Sequence, residues 1–90
     1  MNAERRKAIA ALHTQLDLLK GQIEDLKGEV ETLKDEEQEY YDNMPENMQG
    51  GDKGQAAEEK VGQLEEAGSN LDEAISALEN ALSSLDDASQ

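Results

Sequence analysis

The feature that most constrains this chain is a seven-residue repeat of apolar residues in its first half. One residue of each repeat is followed three positions later by a leucine, so the steps between apolar residues alternate between three and four. This spacing puts the apolar side chains on one stripe of an α-helix, the pattern of a coiled coil with the first set at position a and the second at position d. The a residues are Ile9, Leu16, Ile23 and Val30, and the d residues are Leu12, Leu19, Leu26 and Leu33.

The second half of the chain carries the same repeat. Its a residues are Val61, Gly68, Ile75 and Leu82, and its d residues are Leu64, Leu71, Leu78 and Leu85. Between the halves, Pro45 disfavours a helical conformation at Met44, and three glycines favour turns. We predict arm one over about 3–42, a tip loop over about 43–54 and arm two over about 55–87. Asn43 is expected to cap a short turn opened by Pro45, and Asp52 to cap arm two.

Charges beside the two seams predict how the arms pair. The e positions of arm one are His13, Lys20, Lys27 and Lys34, and those of arm two, called the acidic row below, are Glu58, Glu65, Asp72, Glu79 and Asp86. Antiparallel helices set e against e. One register then pairs Lys34 with Glu65, Lys27 with Asp72, Lys20 with Glu79 and His13 with Asp86. The predicted fold is all-α, a single-domain antiparallel two-helix coiled-coil hairpin in which the charges select the register and leucine burial supplies the stability.

Two layers near the tip interrupt this seam. In the predicted register Gly68 lies opposite Leu33, and Glu37 lies opposite Leu64. A glycine inside a helix costs about 1 kcal/mol relative to alanine, so the hairpin is expected to be weakest here. Gly68 is explained by close approach of the helices, by a tolerated weakness or by a hinge.

Small apolar residues next to the seam predict a second contact surface. A lone hairpin buries only a narrow seam, and an alanine-rich face permits close packing of another helix pair. We therefore expect a homodimer that forms a four-helix bundle. The alternative is a solvent-exposed face in which alanine serves helix propensity alone. The predicted dimer face consists of Ala8, Ala11, Leu18, Ala74, Ala77 and Ala81.

The composition argues against catalysis and ligand chemistry. Without cysteine the chain has no thiol nucleophile and no thiolate metal site. The only histidine, His13, faces Asp86 in the predicted register and is read as a surface pair. The acidic clusters lack the ligand spacing of a calcium-binding loop. We expect no enzymatic activity, no metal and no cofactor.

The tip concentrates residues that favour protein interfaces. Both tyrosines and two of the three methionines lie within nine residues, and loops on rigid scaffolds often carry function. The predicted partner-binding residues are Tyr40, Tyr41, Asn43, Met44, Pro45, Asn47 and Met48, with the Tyr41 ring largely exposed. The alternative is a small core that closes the end of the hairpin.

The same region carries a resemblance. The stretch EEQEYYDNMPENMQG at 36–50, followed by KGQAAEE at 53–59, resembles small acidic helical proteins of uncharacterised function found in bacteriophage and prophage genomes. The resemblance implies a phage-encoded protein of the host cytoplasm and supplies no catalytic residues.

Charge and hydropathy complete the functional expectation. With 22 acidic and 8 basic residues the net charge is −14, which repels phosphate, so direct nucleic-acid binding is not expected. No apolar run approaches the roughly 18 residues of a membrane span, and we expect a soluble cytoplasmic protein. The predicted function is a non-enzymatic protein–protein interaction module that dimerises and presents its tip to an unidentified protein partner. The alternative is an inhibitor that mimics nucleic acid through the acidic row and occupies a host DNA-binding or defence protein.

Overall fold

The computed structural model describes residues 1–90 as an elongated, entirely helical fold. It contains α1 (Ala3–Asp42), α2 (Glu46–Gln49) and α3 (Asp52–Ala88), with no strand. The chain measures 69 × 14 × 13 Å, close to the length of one long helix. The prediction of an all-α fold is confirmed.

The ends of α1 follow from local chemistry. The side-chain oxygen of Asn2 accepts a 2.8 Å hydrogen bond from the Arg5 backbone N–H, which satisfies a donor that the first turn leaves free. At the other end, Asn43 donates its backbone N–H to the Glu39 carbonyl. Pro45 then holds the chain in an extended conformation, with φ −57° and ψ 145°, so the helix cannot continue.

The tip differs from the predicted loop. Part of it is the short helix α2, whose N-cap is Pro45 rather than Asn43, and this cap makes no side-chain hydrogen bond. Helix α3 begins at Asp52, three residues earlier than expected, and its N-cap is Gly51 rather than Asp52. Asp52 instead lies in the first turn of α3, where a carboxylate stabilises the positive end of the helix dipole.

Hydrogen bonds and one glycine hold the tip together. The Gln49 side-chain amide donates to the Tyr41 carbonyl at 3.1 Å, and that of Gln55 donates to the Gly50 carbonyl at 3.1 Å. A Cβ atom on Gly54 would lie 1.9 Å from the Gln49 carbonyl oxygen, so only glycine fits where α2 meets α3. The connection between the long helices is therefore a tightly packed turn.

Helices α1 and α3 lie side by side in one register. Lys27 Nζ is 2.6 Å from Asp72 Oδ1, Lys20 Nζ is 3.4 Å from Glu79 Oε1, and His13 Nε2 is 3.1 Å from Asp86 Oδ1. These are three of the four predicted cross-pairs. The fourth was wrong: Lys34 Nζ lies 3.6 Å from Asp35, because a carboxylate on its own helix competes with Glu65.

Few residues are fully shielded from solvent. The buried apolar residues are Ala57, Val61 and Leu82, all on α3, and only 5 of 90 residues are buried in total. Gly68 is among them, yet a Cβ atom there would meet no atom within 4 Å. Close helix approach therefore does not explain Gly68; the glycine that does permit a close approach is Gly54.

Candidate functional site

The most conspicuous surface is a row of large apolar side chains along α1. The d residues, predicted to lie inside the seam, remain about half exposed, and Tyr40 continues their seven-residue spacing toward the tip. We call this set the leucine row: Leu12, Leu19, Leu26, Leu33 and Tyr40, with exposed fractions of 51, 43, 53, 53 and 50 %. The expectation that these leucines would be buried between the two helices was wrong.

Side-chain length next to the seam explains this asymmetry. On one side, the side chains of Lys20, Lys27 and Lys34 are only 25 to 31 % exposed. Lys20 and Lys27 reach across to α3 and cover apolar surface with their stems. On the other side, the corresponding residues of α3 are Ala67, Ala74 and Ala81, whose side chains are too short to cover a neighbouring leucine. The leucine row is therefore left open along one face.

This face contains an apolar groove near the ends of the chain. The groove has a volume of about 500 Å³ and is lined by Leu12, Gln15, Leu16, Leu19, Ala81, Ser84 and Leu85. None of these residues carries a charge, in a chain whose net charge is −14. The lining of this open groove is suited to apolar side chains rather than to ions or phosphate.

The predicted dimer-face residues lie on and beside this surface. Leu18 is 65 % exposed, Ala8, Ala11 and Ala77 are exposed, and Ala74 and Ala81 are half-buried. Ala81 lines the groove together with Leu12 and Leu19. Sequence reasoning found the alanines and missed the leucine row beside them. The alanines at position g of arm two were the signal, because they leave that flank of the seam uncovered.

The tip exposes two of its predicted partner-binding side chains prominently. Tyr40 is 50 % and Met48 45 % exposed, and the polar or small residues Asn43, Pro45 and Asn47 are also exposed. Met44 is half-buried, as is Tyr41. Tyr40, the exposed aromatic residue of the tip, is therefore also the last member of the leucine row.

Tyr41 was expected to be exposed, and this was wrong. A hydrogen-bonding interaction with the Glu58 carboxylate, reinforced by partial burial and by the negative charge, raises the pKa of the Tyr41 hydroxyl above 10.0. The ring is held against α3 in the same register that joins Lys27 to Asp72. Tyr41 therefore serves the packing of the two helices.

The acidic row is largely engaged within the chain. Asp72, Glu79 and Asp86 pair with Lys27, Lys20 and His13, and Glu58 interacts with Tyr41. Glu65 is the one member with no α1 partner. These contacts also raise the pKa of Lys20 and Lys27 above 10.5, in each case chiefly through the hydrogen bond to the carboxylate on α3. The acidic row therefore serves mainly to join α3 to α1.

The surface offers neither a cluster of metal-ligating side chains nor a membrane-crossing helix. No group of three or more histidine, aspartate or glutamate side chains is arranged to hold a metal ion. Neither long helix contains a stretch with the length and apolar character that a membrane crossing requires.

Comparisons with known proteins add no relative. No protein family, no curated protein and no solved structure matches this chain. The resemblance to bacteriophage proteins therefore stays a prediction.

Proposed function

We propose that this protein is a non-enzymatic protein–protein interaction module, built as an antiparallel coiled-coil hairpin that dimerises through its apolar face. The observation that supports this most directly is the leucine row, five large side chains that stay 43 to 53 % exposed at regular helical spacing. Isolated exposed leucines are common on protein surfaces. A continuous row along a helix is typical of a surface that another helix covers.

Burial of the leucine row by another helix pair would be favourable in free energy. Full burial of a leucine side chain contributes roughly 1.5 to 3 kcal/mol, so covering the exposed half of each row member would contribute about 1 kcal/mol. The side chains are already ordered on a helix, which lowers the conformational entropy lost on association. A second helix pair laid over the row would complete their burial.

A second copy of the same chain suits this face. The alanine side of the face lets another helix approach closely, and the leucine row supplies the large side chains of a common core. Two hairpins stacked in this way form a four-helix bundle. Ala74 and Ala81 then lie in the interface together with the leucine row, and Leu18 lies at its rim.

The tip is proposed as the surface for a different protein. Met48 presents apolar area at the end of the rod, beyond the leucine row, on a tip whose geometry is fixed by the Gln49 and Gln55 hydrogen bonds, and Tyr40 lies where the tip meets the row. Aromatic and methionine side chains are enriched at interfaces, and a rigid support lowers the cost of binding. The chemistry expected of the partner is an apolar pocket with a polar rim.

Sedimentation equilibrium tests the dimer. We expect the wild-type chain to sediment at twice 9.9 kDa and the Leu26→Glu variant as a monomer, because a carboxylate would be buried in the apolar interface. Thr14→Glu adds the same charge to an exposed position of α1 away from the leucine row and should remain dimeric. A wild-type monomer at high protein concentration would contradict the proposal.

A further inference from the structure

Charge is distributed very unevenly along the rod. The long axis can be divided at the level where Gln22 and Ile23 face Leu78 and Glu79. The half that contains the chain ends, residues 1–22 and 79–90, has five acidic and four basic residues, a net charge of −1. The half that contains the tip, residues 23–78, has seventeen acidic and four basic residues, a net charge of −13. The two halves contain 34 and 56 residues, so the difference in net charge far exceeds the difference in size.

The leucine row runs along this gradient. Seven residues before Leu12, its spacing reaches Arg5, which is exposed and next to Arg6 and Lys7. None of these three side chains forms an ion pair within the chain, whose pairs all involve His13 or lysines 20, 27 and 34. At its other end the row reaches Tyr40, which follows Glu39 directly and lies one helical turn after Glu36. The row is thus basic at one end and acidic at the other.

We infer that the second copy docks antiparallel to the first, with the two tips at opposite ends of the bundle. This inference rests on the proposed dimer and specifies its geometry. The symmetry axis falls midway between Arg5 and Tyr40, at a level between Leu19 and Leu26. Leu19 then packs on Leu26 of the partner subunit, Leu12 on Leu33 of the partner subunit, and Arg5 lies over Tyr40 of the partner subunit, beside its acidic neighbours.

The opposite arrangement is disfavoured by charge. A dimer with both tips at one end sets a half of net charge −13 against another of −13, at the 8 to 10 Å spacing of packed helices. The Debye length at physiological ionic strength is about 8 Å, so this repulsion is only partly screened. The antiparallel dimer sets −13 against −1 instead. It also places the unpaired basic end of one copy next to the acidic end of the other, and Arg5 over a tyrosine ring is a favourable cation–π geometry.

The absence of cysteine permits a direct test with single introduced thiols. Gln22 is exposed, on the open face and next to the symmetry axis, so Gln22→Cys should form an intersubunit disulfide in the antiparallel dimer. In the parallel-tip dimer the two thiols lie on diagonally opposed helices, too far apart to bond. Spin labels on Asn47→Cys, at the exposed tip, should be separated by a distance close to the 69 Å length of the rod. Labels within a few helix diameters of each other would overturn the inference.

A charge variant supplies a second readout. Arg5→Glu should weaken the dimer about two- to tenfold, since symmetry counts each lost contact twice. Lys53→Glu makes the same change in charge on α3 near the tip, away from the leucine row, and should have a smaller effect. Equal weakening by both variants would contradict the proposed contact.

The outcomes separate this inference from the proposed function. If wild-type protein sediments as a dimer but Gln22→Cys does not cross-link, the antiparallel orientation is wrong, whereas the proposed dimeric interaction module is unaffected. If wild-type protein is monomeric, the proposed dimer fails before its geometry is tested.

Discussion

The Nζ atom of Lys27 lies 2.6 Å from Oδ1 of Asp72, across the contact between α1 and α3. The same offset along the chain joins Lys20 to Glu79 and His13 to Asp86. Because a one-residue slip would break all three contacts together, these pairs define the register of the two helices. Their energies are nevertheless small, since every partner is accessible to solvent.

Exchanging the charges of one pair tests that role. We expect Lys27→Asp alone to lower the melting temperature by a few degrees at low salt, because it places two carboxylates opposite each other. The combined variant Lys27→Asp, Asp72→Lys should recover most of the loss. Thermal unfolding followed by circular dichroism at low and high salt measures both effects. An unchanged melting temperature for the single variant at low salt would show that the pair has no influence on stability.

Alkaline pH should weaken the fold through three named groups. The pKa values of Tyr41, Lys20 and Lys27 are raised in the folded chain above 10.0, 10.5 and 10.5. The protonated forms are therefore favoured by folding. Their stabilisation is complete below pH 10 and is lost as the pH rises through the folded pKa values.

The matched variants Lys20→Arg, Lys27→Arg and Tyr41→Phe separate the contributions to this loss. Arginine stays charged at these pH values, so the double arginine variant should lose less stability between pH 10 and 12 than wild type. Tyr41→Phe should remove the tyrosine part of the dependence. Melting curves across this range provide the measurement, and identical pH profiles for wild type and the arginine variant would exclude the lysine pairs as the cause.

Two glycines of α3 should respond in opposite ways to alanine. Gly68→Ala should raise the free energy of unfolding by about 1 kcal/mol, because the new methyl group meets no atom within 4 Å and helix propensity improves. Gly54→Ala should lower it by about 1 to 3 kcal/mol, because the methyl group would collide with the Gln49 carbonyl. Gly62→Ala, also in open space, is the control and should match Gly68→Ala. Urea denaturation measures all three, and a destabilised Gly68→Ala would support a special role for that position.

Substitutions at the tip separate recognition from stability. Met48→Ser should leave the melting temperature nearly unchanged, because the side chain is 45 % exposed and lies outside the leucine row. Tyr41→Ser should lower it, since this ring packs against α3 and its hydroxyl interacts with Glu58. If the tip binds a protein, the Met48→Ser variant should lose binding by about tenfold or more in a pull-down while staying folded. Equal recovery by this variant and wild type would locate binding elsewhere on the rod.

The helices and the register were predictable because they depend on periodic sequence features. Apolar residues at alternating steps of three and four specify a helix, and complementary charges at e positions specify which pairs meet. Lys27 and Asp72 could therefore be matched from sequence alone. Lys34 could not, because an adjacent carboxylate on its own helix competes with a cross-pair, and spacing alone does not rank the two.

The exposure of the leucine row was less accessible to sequence reasoning. A heptad pattern gives the direction of Leu26 on its helix but not the size of the surface that covers it. That coverage depends on the length of side chains on the other helix, where lysine stems cover one flank and alanines leave the other open. The tip was missed for a similar reason. The contact of Gly54 with the Gln49 carbonyl depends on how α2 folds back, which no local pattern specifies.

Because the register between α1 and α3 is constant, one seven-residue segment could be removed from each helix at the same level without changing the pairing of the rest. Residues 23–29 of α1 and residues 72–78 of α3 lie at the same level and include both partners of the Lys27–Asp72 pair. Removing the two segments together would bring Gln22 next to Val30 and Leu71 next to Glu79, with every remaining cross-pair intact. The molecule would be about 10 Å shorter, at 1.5 Å per residue, with the same tip and the same chain ends. The distance between the tip and the chain ends can thus be changed in steps of one heptad, without any change to the residues at either end of the rod.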